Sequence, residues 1–270
     1  MKKRGKALLL KIKTAQLLEE LSKGRRIDGR ALDAFRSINV ETGIIGRADG
    51  SAKVSLGGTL VLAGVKLEIG EPFTDTPNLG VLTTNAEFLP LASPSFEPGP
   101  PDENAIELAR IVDRGIRKAD MIDLEKLCII PGKKVWLIWV DIYVLNHDGN
   151  LVDAAALAAV AALLNTKVPK VEVIGESIKV LYEEKEPLPI KGIPVTVTTV
   201  KVGNYLLVDP GLAEEEAMEA KLTVVVINGQ VCALQKGGEG FLTYEEVTEA
   251  IKIAIRKAEE LKEQLVKVVR

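Results

Sequence analysis

The chain has 270 residues, 47% of them hydrophobic and 27% charged, with a formal net charge of −3. Its length and apolar fraction suffice for one large core or two intimate halves. The charge balance excludes a molecule drawn to nucleic acid by overall charge, so any such contact must come from a local patch.

Aromatic residues make up only 4%, fewer than a protein that grips bases by stacking usually carries. One histidine and two separated cysteines argue against a zinc site and a disulfide framework. Cys128 and Cys232 lie in apolar runs and are expected as small core residues in a reducing cytosol.

The basic start MKKRGKALLLKIK has Lys11 and Lys13 interrupting the apolar run too early for a signal peptide. No stretch reaches the ~18 apolar residues of a membrane span. From Lys6 to Leu21 the spacing predicts a helix, with Leu10, Leu17, Leu18 and Leu21 on one stripe and Gly24 as its stop. Arg25-Arg26-Ile27-Asp28-Gly29-Arg30 reads as a connecting loop with an Asp-Gly turn and an Arg–Asp pair. Phe35 to Gly70 alternates in the β manner, with turns at Asp49-Gly50 and Gly57-Gly58. A loop over Gly70 to Gly80 leads into the extended run VLTTNAEFLPLA and the proline-rich connection SPSFEPGPP.

Pro101 to Asp120 then predicts a helix capped by Asp102 or Asn104. At about 100° per residue, Arg110, Arg114 and Arg117 fall within roughly 60° of one another. Ala105, Leu108, Ala109, Val112 and Ile116 lie opposite, and Ile106 sits close to the arginines. The row suits a polyanion backbone. It equally suits a solvated face held by Glu107–Arg110 and Asp113–Arg117 pairs worth only tenths of a kcal/mol.

Lys133 to Asn146 predicts a central strand, apolar on both faces. After the turn His147-Asp148-Gly149-Asn150 comes an alanine-rich helix from about Leu151 to Leu164, apolar nearly all round and therefore buried. Pro169 to Tyr182 gives two short extended runs, and EEKEPLPIKGIP reads as the crossing between halves. Pro194 to Asp209 is extended, with a turn at Gly203-Asn204. Lys221 to Gln235 is a hairpin closed by Asn228-Gly229. The loop Lys236 to Gly240 lacks the spacing of a nucleotide fingerprint. A final helix opens on the capping box Thr243 to Glu246 and carries a stripe from Val247 to Val268. Strands first and a long helix afterwards, twice, predict a mixed-sheet α/β or α+β protein with a pseudo-repeat.

These stretches in this order resemble the RNase PH family. The pieces are Arg26-Ile27-Asp28-Gly29-Arg30, the strand pair through Gly57-Gly58-Thr59, the Arg110–Arg117 helix, Asp148-Gly149 with its alanine-rich helix, and VDPGLAEEEAMEAKLTV. The resemblance is strongest to the non-catalytic members found in archaeal exosomes. It implies a single domain over 1–270 of duplicated βα units, mixed sheets packed against helices. Its pseudo-halves would run over about 25–185 and 190–270 after an N-terminal helix in 1–24.

Active members carry a Gly-Thr/Ser-Arg type phosphate loop after the Asp-Gly; this chain has Asn150-Leu151-Val152 there. Two aspartates of active members match Glu215, which keeps a carboxylate, and Lys221, which reverses the charge. A divalent ion needing paired carboxylates meets an ammonium instead. Glu214-Glu215-Glu216 otherwise reads as a solvated face. The resemblance therefore implies no catalytic residue, metal or cofactor in this chain. Its expected partners are a catalytic sister subunit in a hexameric ring of three heterodimers, RNA-binding cap subunits and single-stranded RNA, in the cytoplasm. In that setting Arg110, Arg114 and Arg117 are expected to hold RNA phosphates. A self-sufficient phosphorolytic enzyme using Glu215, and a scaffold without RNA contact, are the rival readings.

Overall fold

The structure, a computed structural model, describes residues 14–175 and 177–269. The first part of the helix expected from Lys6 lies outside the described residues. Residues 14–22 form α1, and Gly24 follows in the left-handed region at φ +73°.

The first sheet contains β1 (Ile38–Thr42), β2 (Gly50–Leu56), β3 (Thr59–Gly70), β4 (Val81–Phe88), β5 (Cys128–Ile130) and β6 (Lys134–Asn146). Its order is β1-β2-β3-β6-β4, with β5 also paired to β6. Only β4 runs parallel to its neighbour β6, so the chain must cross over between them, and the crossover carries α2 (Glu103–Lys118). As expected, β6 is central. Its two faces differ, however: Trp136, Ile138, Val140, Ile142 and Val144 are buried, while on the other side Val135 is buried but Leu137, Trp139 and Tyr143 are half-buried. The sheet is covered on one face and partly open on the other.

The covering element is α3 (Leu151–Asn165), which packs on β2 and β3 from one side. Alanine gives high helix propensity and a thin profile, so the backbone approaches closely. At Gly50 the approach leaves no room for a side chain: a Cβ there would lie 2.5 Å from the Ala162 carbonyl oxygen.

The other side of α3 meets the second sheet, of order β10-β9-β11-β12. These strands are β9 (Val195–Val202), β10 (Tyr205–Val208), β11 (Ala220–Ile227) and β12 (Gln230–Gly237), all antiparallel. The short helix α4 (Leu212–Ala217) joins β10 to β11, and α5 (Tyr244–Val269) ends the chain. The α5 capping box forms as its sequence predicts: Thr243 N–H donates to Glu246 Oε2 at 2.8 Å, and Glu246 N–H to Thr243 Oγ1 at 3.2 Å. The α5 stripe buries Ala250, Ile253, Ala254, Ala258 and Leu261 against the second sheet, and Leu265 reaches the core of the first.

Two expectations need correction. EEKEP lies within a strand, because β7 (Lys167–Ile174) and β8 (Ser177–Pro187) form a separate ribbon. Cross-strand ion pairs from Lys170 to Glu184 and Glu186, each 3.4 Å, take the place of an apolar face there. The crossing is residues 188–194, tied down by Leu188 N–H to Thr166 O at 3.0 Å and Lys191 N–H to Met121 O at 2.8 Å. The cysteines are free, but half-buried on sheet edges rather than in the core.

Candidate nucleic-acid interface

Asp102 caps α2, its Oδ1 accepting the Ala105 N–H at 2.9 Å. Glu103 in the first turn and Arg117 and Lys118 in the last complement the helix dipole. Ala105, Leu108, Ala109, Ile111, Val112, Gly115 and Ile116 are buried, and Arg110, Arg114 and Arg117 are exposed on the far face. Ile106 is 50% exposed beside them.

The three guanidiniums are held differently. Arg117 is clamped: Nε donates to Asp113 Oδ2 at 2.6 Å and Nη2 donates to the Leu82 carbonyl of β4. Arg114 Nη1 donates to Gln235 Oε1 of β12 at 2.6 Å. Arg110 makes no hydrogen bond or ion pair among the described residues, so of the two pairs expected of a solvated face only Asp113–Arg117 forms. A hydrated, unpaired guanidinium has no internal contact to break on meeting a phosphate, and its planar fork fits one bidentately.

Arg110 and Arg114 stand on a ridge between two grooves. The groove toward β4, about 470 Å³, also has Arg117, Lys118, Asp113 and Thr84 in its wall. The groove toward β12, about 330 Å³, has Glu103, Glu107, Ile106 and Gln235.

On the buried flank of the same helix is a cleft of about 290 Å³. Asn104, Glu107 and Ile111 of α2 line it together with His147, Glu215 and Lys221. His147 stacks on Phe96 with ring centroids 5.6 Å apart, and burial pulls its pKa down, with Asp148 opposing. Leu151 and Val152, at positions where the resemblance expects a phosphate loop, also line the cleft. Asn150 turns its side chain inward, Nδ2 donating to Asp153 Oδ2 at 2.9 Å and Asp209 Oδ1 at 2.8 Å. Its backbone N–H, at the α3 N-terminus, donates to Glu215 Oε1 at 2.9 Å. An internal carboxylate thus occupies the amide that a helix terminus offers an anion. Burial pushes the Glu215 carboxyl up; the Asn150 N–H, Lys221 and Arg36 pull it down. Gly149 makes this closure possible: it sits at φ +87°, and a Cβ would lie 2.5 Å from the Pro210 carbonyl oxygen. Among the described residues no group of three or more His, Cys, Asp or Glu could hold a metal ion.

The acidic run is therefore a solvated face only at Glu216, which is exposed. Glu214 is buried and pairs with Arg26, whose side chain is wholly enclosed. Arg26 Nε donates to Glu214 Oε1 at 2.8 Å, Nη1 to Val208 O at 2.7 Å and Nη2 to Asp209 O at 2.9 Å. Arg30 and Arg36 converge on Asp209: Arg30 Nη1 donates to Oδ2 at 3.0 Å and Arg36 Nη2 to Oδ1 at 2.7 Å. Asp153 continues this seam inward, accepting from the Thr198 N–H at 2.9 Å and bonding Thr198 Oγ1 at 2.8 Å. Burial pushes its pKa up to about 7. The seam joins the 25–36 loop, α3, the second sheet and α4.

Residue types alone left Arg26, Arg36, Asp209 and Thr198 unassigned, since charged loops are usually solvated. Asp153 had a signal: an acid inside a helix apolar all round must be buried, and must find donors. Its partner Thr198, on a strand of the second sheet, had none.

The family model described as 3′ exoribonuclease family, domain 1, matches residues 34–169, and domain 2 of that family matches 192–257. The protein named exosome complex component Rrp42 of Methanopyrus kandleri is 54% identical over 256 residues, covering 94% of this chain and 96% of that protein. Its namesake from Pyrococcus horikoshii is 54% identical over 248 residues, covering 91% and 90%. Among solved structures, a chain of the Archaeoglobus fulgidus exosome with RNA bound to the active site superposes with TM-score 0.88 at 46% identity, covering 95% of this chain and 99% of that one.

Proposed function

Because the chain belongs to the 3′ exoribonuclease, or RNase PH, family, we propose that it is the non-catalytic, RNA-holding subunit of an archaeal-type exosome. In this reading a phosphorolytic ring shortens RNA from the 3′ end with phosphate as the attacking group. The catalytic sister subunit performs the reaction; this chain completes the sister's site and holds the strand.

The ring would contain three heterodimers of this chain and its sister, bear RNA-binding cap subunits and work in the cytoplasm. Resemblance to exosome components and to the archaeal exosome core supports the assembly. Two free cysteines accord with a reducing compartment. We treat the chain as one domain of two pseudo-halves, about 25–185 and 190–270, because the Arg26–Asp209 seam and α3 belong to the packing of both.

One observation carries the reading. A single helix presents exposed guanidiniums on one flank while, on the other, it borders a cleft whose helix-terminal amide is taken by Glu215 and whose second acid is replaced by Lys221. Arg110, Arg114 and Arg117 are the residues we assign to RNA.

The test is binding of single-stranded RNA to the ring, assembled with its sister chain, carrying Arg110→Glu, Arg114→Glu and Arg117→Glu together. The expected result is weaker binding with a flatter salt dependence, by roughly 0.7 in log–log slope per lost phosphate contact. Unchanged affinity would refute the RNA role and leave a scaffold. Release of nucleoside diphosphates by the chain without its sister would refute the non-catalytic assignment.

A further inference from the structure

The two grooves beside the arginine ridge differ in sign. Toward β12, Arg110 and Arg114 are offset by Glu103 and Glu107, leaving no net charge. Toward β4, the same two residues are joined by Arg117 and Lys118 and opposed by Asp113 alone, four cations against one carboxylate. A phosphodiester chain is drawn into the second groove and gains nothing from the first.

Phe73, from the loop between Gly70 and Gly80, lines the second groove together with the arginines. The residue is 57% exposed, and its ring makes no ring–ring contact among the described residues. An isolated exposed phenyl is ordinary. One that lines the same groove as a row of guanidiniums is matched to a nucleotide, which brings a phosphate and a base to one site.

We propose that Phe73 is a base-stacking platform: single-stranded RNA runs along the β4-side groove, with phosphates on Arg110 and Arg114 and one base laid on the Phe73 ring. This deepens the RNA-holding reading and rests on it. Every base has a π-face, so the platform adds grip without sequence preference. Low aromatic content does not oppose this, because a single well-placed ring suffices.

The test measures anisotropy of a labelled oligoribonucleotide on the assembled ring, beside an oligomer of the same length carrying abasic sites throughout. Variants are Phe73→Ala, Phe73→Trp and Arg110→Ala/Arg114→Ala. Phe73→Ala is expected to weaken ordinary RNA about 5- to 150-fold, the range for one lost stack. Its salt slope stays as in the parent, Phe73→Trp binds at least as well as the parent, and abasic RNA does not distinguish Phe73→Ala from it. The arginine pair is expected to weaken both oligomers and flatten the slope. Equal binding by Phe73→Ala and the parent, equal loss on abasic RNA, or a ring that no longer assembles with Phe73→Ala would each overturn the platform. An arginine pair without effect would overturn the underlying reading instead.

Discussion

Asp153 gives the sharpest stability prediction. It is wholly buried, and its carboxyl, ordinarily near 3.8, is pushed up to about 7, first by burial and then by the charge of Asp209 against its hydrogen bonds. The unfolded chain ionises near the ordinary value. Between about pH 4 and 7 the folded state therefore binds the extra proton, and stability falls as pH rises through that window. The full difference, reached by about pH 9, corresponds to about 4 kcal/mol. Asp153→Asn removes the ionisation and keeps the hydrogen bonds. Its oxygen accepts from Asn150 Nδ2 and Thr198 N–H, and its amide donates to Thr198 Oγ1, which turns toward Thr223 Oγ1, 2.9 Å away. In urea titrations the variant should already exceed the parent by about 1–2 kcal/mol at pH 5, and its advantage should grow by a further roughly 2–3 kcal/mol by pH 9, allowing for relaxation around the charge. Glu215, also raised by burial, titrates in both proteins and cancels from the comparison. Parallel stability curves from pH 5 to pH 9 would refute the assignment of the proton to Asp153.

Three further outcomes are expected. Arg26→Ala leaves the Glu214 carboxylate buried without its partner and should cost about 3–5 kcal/mol in urea unfolding; a loss below about 1 kcal/mol would show the pair to be dispensable. Gly149→Ala should destabilise more than Gly29→Ala, because both glycines have positive φ, +87° and +82°, but only Gly149 has backbone where a Cβ must go. Equal melting temperatures would refute the close approach of α4 to the α3 terminus. Glu215→Gln retains an acceptor for the Asn150 N–H, so RNA shortening by the assembled ring should be nearly unchanged; its abolition would favour Glu215 as a catalytic acid.

The strands, their turns and the arginine face were legible in the sequence because each obeys a local rule: alternation around Asn228-Gly229, wheel spacing around Arg114, a capping box at Thr243. What escaped lacks a local rule. The charged β8 looks like linker because its stabilising partners are charges across a ribbon, Lys170 and Glu172, rather than a core beneath it. The six residues of α4 are too few to show a period, and Glu214 looks solvated until Arg26 is brought to it. Asn150 reveals only the loss of a phosphate loop; that Glu215 fills the gap follows from tertiary packing.

The seam also fixes a timetable for folding. Arg26 and Glu214 lie 188 residues apart along the chain, and Leu265 of the last helix completes the core begun by β2. At translation rates of about 5–20 residues per second, Arg26 emerges roughly 10–40 s before its carboxylate is made. During that interval β6 and α3 close the first sheet, but the far side of α3 has no complete second sheet to cover it and is open to any nascent neighbour. The polypeptide consequently has no early stopping point at which half of it is safe, and its dependence on chaperones should fall only once the final turn of α5 has left the ribosome.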